Sequence, residues 1–168
     1  NDETWRIIGV FSTDDGTGNY EQRVKIMRND SIGSYSWDSS ESTVNGGYGI
    51  NEWSQADLKT ELNTTYYNRT SGTCYDGFNN TSTTCNFSST GLTETARNMI
   101  DDAKWYTSSY NPNGATSSIA YTSERASTTT QCGSFSNYDC SGESVTRTTN
   151  WTGKIALAYP VDYGYASS

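Results

Sequence analysis

The chain has 168 residues, with 19 Asp+Glu against 11 Lys+Arg, a net charge of -8 and no histidine. That length suits one domain, residues 1–168, and the acidic balance excludes the basic footprint of a nucleic-acid binder. Without histidine the usual general base at neutral pH is missing, and no run approaches the roughly 20 apolar residues of a transmembrane segment.

The elements follow in chain order. Trp5 to Phe11 predicts a strand, and Asp14-Asp15-Gly16-Thr17-Gly18-Asn19 is dense in turn residues. Glu21 to Arg28 alternates, with Val24 and Ile26 on one face and Arg23, Lys25 and Met27 on the other. Period two marks a half-buried strand, so the three pieces read as a β-hairpin. Ile32 to Trp37 is expected to be a short extended piece. Helix one is expected over Gln55 to Asn63, capped by Ser54, with Leu58 and Leu62 facing the core. Helix two is expected over Glu94 to Trp105, capped by Thr93, with Ala96, Met99, Ile100 and Ala103 as its apolar stripe. Tyr106 to Thr149 is rich in Ser, Thr, Asn and Gly. A structureless loop of that length is unusual in a compact domain, so short strands are expected there. Trp151 to Tyr159 alternates again, with Ile155, Leu157 and Tyr159 inward, and Pro160 stops the strand. The fold class is α+β, a mostly antiparallel sheet with two short helices and long loops.

Leu, Ile, Val and Phe together supply 21 residues. With high net charge, so low a fraction ordinarily signals disorder. The 13 Tyr and 5 Trp argue otherwise, because they are spread along the whole chain and each ring buries roughly 150–250 Å². The predicted core is therefore aromatic, thin and in need of reinforcement. Four cysteines allow three connectivities. Cys74–Cys85 and Cys132–Cys140 are the chosen pairs, since each brackets a polar, glycine-containing loop. The spacing does not fit a zinc site. Disulfides imply an oxidising compartment, secreted or at the cell surface.

The segments WRIIGVF (5–11), SIGSYSWD (31–38), EWSQADLKTELN (52–63), STGLTETARNMIDDAKWY (89–106) and WTGKIALAYPVDYGYA (151–166) carry a resemblance. As a set they resemble an uncharacterised family of bacterial surface proteins from Gram-positive gut bacteria, similar to domains with a C-type-lectin-like fold. The resemblance covers most of the chain and implies a C-type-lectin-like domain displayed outside the cell. Members of that family continue past the DYGYA block, so the resemblance also implies a domain truncated here or completed by a second segment.

Asp101-Asp102 is the tight acidic pair of the second helix, but adjacent helical positions point apart, which suits a solvated face better than catalysis. No catalytic residue and no enzyme activity is assigned. Asp14, Asp15, Asn19 and Glu21 offer oxygen ligands without EF-hand spacing, and Asn111-Pro112-Asn113 resembles the proline-centred triplet of calcium-dependent lectins but begins with neither Glu nor Gln and is followed by no Trp-Asn-Asp. Calcium is therefore weighed and not predicted, and no cofactor or metal is assigned. A surface of Tyr, Ser, Asn and Gly has the chemistry of a binding paratope. Tyr48, Trp53, Tyr66, Tyr67, Tyr106, Tyr110 and Tyr121 are the candidate ligand-binding residues. The expected function is an extracellular binding or adhesion module for a glycan or protein ligand. The alternative is a self-assembling structural subunit of a surface filament or pilus-like assembly.

Overall fold

The structure is a computed structural model that describes residues 3–39, 52–76, 81–107, 117–125, 128–130, 144–146, 150–159 and 161–162. Eight strands are described: β1 (Trp5–Asp14), β2 (Tyr20–Arg28), β3 (Ser71–Asp76), β4 (Thr81–Asn86), β5 (Ala103–Tyr106), β6 (Thr128–Thr130), β7 (Ser144–Thr146) and β8 (Asn150–Gly153). Three α-helices join them: α1 (Asp57–Glu61), α2 (Glu94–Arg97) and α3 (Ser117–Glu124). The strands pair as four antiparallel ribbons, β1 with β2, β3 with β4, β5 with β8 and β6 with β7. The class is α+β with antiparallel pairing, as the sequence led us to expect.

The β1–β2 hairpin forms around its turn because Asp14 and Asp15 satisfy the turn's own backbone. Asp14 Oδ1 accepts from Gly16 N (2.8 Å) and Gly18 N (3.0 Å), and both glycines have φ +95°, where a Cβ would be strained. These bonds hold the Asp14 carboxyl below its ordinary range, and Lys104 adds to the effect. Asp14 and Asp15 therefore serve the turn. A bulge at Ile8 shifts the register between Ile7 and Gly9, and Ile8 is buried.

The alternation read along β2 is present, and its polar side is the one that turns inward. Ile7 opposite Ile26 and Val10 opposite Val24 lie outward, at 73%, 43%, 61% and 58% exposure. The other face has partners that outweigh the cost of covering charge. Lys25 pairs with Asp162 and lies over the Trp105 ring, while Arg23 bonds Glu21 and the Asp102 carbonyl.

The core is aromatic. Trp53, Leu58, Leu62, Tyr66, Cys74, Cys85, Phe87 and Leu92 form its buried cluster. Trp53 meets Trp37 and Trp151 at centroid distances of 5.2 and 6.2 Å, and Phe87 takes the edge of Tyr66 at 5.4 Å, within the range of favourable ring pairs. The Cys74–Cys85 disulfide closes the β3–β4 hairpin with a Cα–Cα distance of 5.8 Å. Cys132 and Cys140, with the second expected bridge, lie outside the described residues.

Both expected helices exist with altered limits. Trp53–Gln55 is a 3-10 turn, α1 begins at Asp57, and a π-helical turn (Leu62–Tyr66) continues it. Ser54 does not cap this helix, because its hydroxyl goes to Glu52. Asp38 Oδ1 accepts from Asp57 N (3.1 Å) instead, and Asp57 Oδ2 accepts from Ser39 N (2.9 Å). Thr93 does cap α2, accepting from Ala96 N at 3.2 Å. That helix ends at Arg97, and Met99 is 75% exposed, because residues 103–106 pair as a strand with 150–153. Of the long segment read as short strands, β6 and β7 are described, and so is the unanticipated helix α3. β8 also stops early, at Gly153. Beyond it the Asn63 side chain takes both backbone groups of Ile155, donating to its carbonyl (2.9 Å) and accepting from its N–H (3.0 Å).

Replacing Cys74 and Cys85 together by serine is expected to lower unfolding free energy by about 3 kcal/mol, from the loop they close. Denaturant unfolding of the variant against the parent chain measures it, and an unchanged midpoint refutes the reinforcing role.

Candidate functional site

The candidate aromatics divide sharply. Trp53 and Tyr66 are 1% and 3% exposed and belong to the core. Tyr67 is half-buried, donating to the Arg97 carbonyl (3.4 Å) with Lys154 above its ring (5.9 Å). Tyr48 and Tyr110 lie outside the described residues. Two candidates do come together. The Arg125 guanidinium lies 4.4 Å from the Tyr106 centroid and 3.5 Å from that of Tyr121. This pairs the end of β5 with α3 through cation–π contact. Tyr121 keeps 43% of its surface exposed, and the Arg125 side chain also donates to the Tyr121 carbonyl (3.2 Å).

Next to that stack lies a buried polar cluster that no sequence motif announced. Lys25 Nζ is 2.5 Å from Asp162 Oδ1 and 4.9 Å from the Trp105 centroid. Asp162 Oδ2 accepts from Tyr159 N (3.0 Å), and Glu124 accepts from Val161 N (3.1 Å). Glu124 and Asp162 are 1% and 3% exposed. Burial raises the Glu124 carboxyl, the Val161 N–H opposes that, the Asp162 charge adds to it, and Arg125 and Lys25 oppose it. Tyr159 is pushed up to about 12, first by burial and then by Glu124. The one signal in the sequence was Asp162 within the DYGYA block, without its partners.

A third feature is the outward face of the hairpin, where Ile7, Val10, Val24 and Ile26 are exposed, with the polar pair Ser12–Gln22 between them and Tyr20, itself 66% exposed. The described cleft lined by Glu3, Trp5, Gly91, Thr93 and Ala96 has a volume of about 140 Å³. Sites for small organic ligands start at roughly 300 Å³, so this cleft is smaller than such a site.

Glu61 faces the disulfide, its carboxylate within 4.8 Å of both sulfurs. Those sulfurs are bonded to each other, which leaves a single carboxylate there and no thiolate ligands for a metal. Burial first, then the Asp57 charge, pushes Glu61 up to about 7, with a Tyr75 backbone bond opposing.

Compared with known family models, curated proteins and solved structures, the chain matches none.

A raised carboxyl keeps, in the folded chain, a proton that the unfolded chain has released. Stability should therefore fall as pH rises from about 4.5 to about 7 and level off above. Glu61→Gln is expected to flatten that slope and to gain on the order of 2–3 kcal/mol at pH 8. Chemical denaturation from pH 4 to 8 reads both, and an unchanged slope removes Glu61 as its source.

Proposed function

We propose that this chain is an extracellular or cell-surface binding module, an adhesin-like domain with the C-type-lectin-like fold that its sequence blocks resemble. The disulfide supports a place outside the reducing cytosol. Among the described residues no helix is long and apolar enough to cross a membrane.

One observation carries the binding role: the uncovered aliphatic face of the hairpin. At their exposures Ile7, Val10, Val24 and Ile26 present roughly 400 Å², in the range of the largest apolar patches on monomers, which are often functional. Flat β-branched surface suits an apolar protein face, because sugars are gripped by exposed rings and converging polar groups. The ligand proposed is accordingly a protein presenting its own apolar face. The glycan reading is left with the Tyr106–Arg125–Tyr121 stack.

The same face favours a second reading, a self-assembling subunit of a surface filament or pilus-like structure. Two copies meeting through it would remove about 800 Å² from water, so a specific interface of about 1,000 Å² or more would have to include flanking residues. A filament needs a further, non-identical contact as well.

Val24→Lys with Ile26→Lys adds charge to side chains that already face water, so the fold is expected to survive. On an array of extracellular proteins, the parent chain should bind and the double variant should lose roughly tenfold or more in affinity. No binding by the parent, or equal binding by both, refutes recognition through this face. Light scattering of both proteins over a concentration series tests the second reading, which a strict monomer eliminates.

A further inference from the structure

The cluster of half-buried Lys25 with buried Asp162 and Glu124 has the parts of an amide-forming site. The Lys25 amine meets an Asp162 carboxyl oxygen, the buried Glu124 carboxyl is fixed to the neighbouring Val161, and the Trp105 ring lies over the amine. We infer that Lys25 Nζ and Asp162 Cγ join in an intramolecular isopeptide bond, with Glu124 carrying the protons.

The geometry supplies the argument. The Nζ–Oδ1 separation of 2.5 Å is shorter than a charge-assisted hydrogen bond of roughly 2.7–2.9 Å. Asp162 cannot swing away, because its Oδ2 is held by Tyr159 N and its own N–H donates to the Tyr159 carbonyl (2.9 Å). Glu124 is fixed to the same turn through Val161 N (3.1 Å), one residue from Asp162. The Trp105 ring covers the amine at 4.9 Å, and the Asp162 side chain keeps 5% of its surface. The reaction begins when one proton passes from the Lys25 ammonium to the Asp162 carboxylate.

From that neutral pair the chemistry balances without a co-reactant. The Lys25 lone pair attacks Asp162 Cγ, and the carbonyl π electrons move onto oxygen. One proton passes from the nitrogen to the new oxyanion by way of the Glu124 carboxyl, which must first leave Val161 N and come within hydrogen-bond distance of both. In the tetrahedral adduct Glu124 then protonates one hydroxyl. The Cγ–O bond breaks, water leaves, and the remaining hydroxyl returns its proton to Glu124 as the C=O reforms. An ammonium and a carboxylate have become an amide and one water, and Glu124 ends as it began. Burial raises the Glu124 carboxyl, which suits a group that starts the cycle protonated.

The bond would tie β2 to the segment after β8 across 137 residues. Much of the described chain would sit inside one covalent loop, and pulling on the two joined segments would load that amide instead of the weak ribbons between them.

Intact mass spectrometry of the folded 168-residue chain, measured after disulfide reduction, tests this. The expected mass is lower than that of the sequence by one water. A tryptic map should show residues 24–28 joined to the peptide that begins at Ile155, with Lys25 uncut. Lys25→Arg and Asp162→Ala should each restore the full mass. Glu124→Gln should leave the bond unformed or accumulating over hours while the circular dichroism stays native. A parent chain with native dichroism, an oxidised Cys74–Cys85 bridge and the full mass overturns the inference and leaves an ordinary ion pair. A Glu124→Gln chain that cross-links as completely and as fast as the parent overturns the role given to Glu124.

Discussion

The constraint on which the rest depends is the covalent closure of β3 and β4 against the rings of the core. Cys74 is fully buried, and around the bridge lie Trp53, Tyr66 and Phe87 with a few aliphatic side chains. A core this poor in Leu, Ile and Val gains less from burying methylene groups than most domains of its size. The bridge acts on the other side of the balance, by limiting how widely the unfolded chain can spread. Neighbouring positions show how tight the packing is. A Cβ at Gly91 would lie 2.6 Å from the Tyr66 carbonyl and 2.8 Å from Arg69 Cα. Arg69 itself adopts φ 58° and is held there by bonds from its guanidinium to the carbonyls of Ser88 (2.8 Å) and Ser89 (3.2 Å).

With the interior filled by rings, the hairpin is free to turn its charged face inward. Lys25, Arg23 and Asp14 of the hairpin each meet a partner on another segment, Asp162, the Asp102 carbonyl and Lys104, and the three cations are Lys25, Arg23 and Lys104. Their side chains remain 20–30% exposed, so each keeps some hydration and the cost of covering it stays moderate. The aliphatic residues of the same strands are left outside as a consequence. A surface that weakens solubility is retained more readily if something covers it, which is why the exposed face bears on function as well as on packing.

How much of this was legible in the sequence depended on the range of the cause. The hairpin was legible because its turn chemistry and its alternation are local. So were the Thr93 cap, whose partner is three residues away, and the Cys74–Cys85 bridge, eleven residues apart. The helix cap at Asp57 was not, since its acceptor Asp38 lies nineteen residues back. Helix two was overextended for a related reason. Ala96, Met99, Ile100 and Ala103 have helical spacing, but Trp105 has Trp151 as its strand partner, and distant pairing won over local period. Of the candidate site, Tyr106 and Tyr121 were legible as aromatics and Arg125 between them was not. Trp53 and Tyr66 have the same composition signal as surface rings, and only packing separates the two cases.

The C-terminal segment shows the same logic carried furthest. Past Gly153 it is held by side chains taking the place of a strand partner. Asn63 grips both backbone groups of Ile155, Tyr159 donates to the Thr107 carbonyl (3.2 Å), Glu124 accepts from Val161 N, and Lys25 meets Asp162. Each attachment comes from a different part of the chain. Removing Glu124 leaves the Val161 N–H buried without its partner, and that costs more than the bond itself contributed. The amine of Lys25 and the carboxyl of Asp162 are held together by all of these attachments, and that preorganisation is what would turn an ion pair into a reaction site.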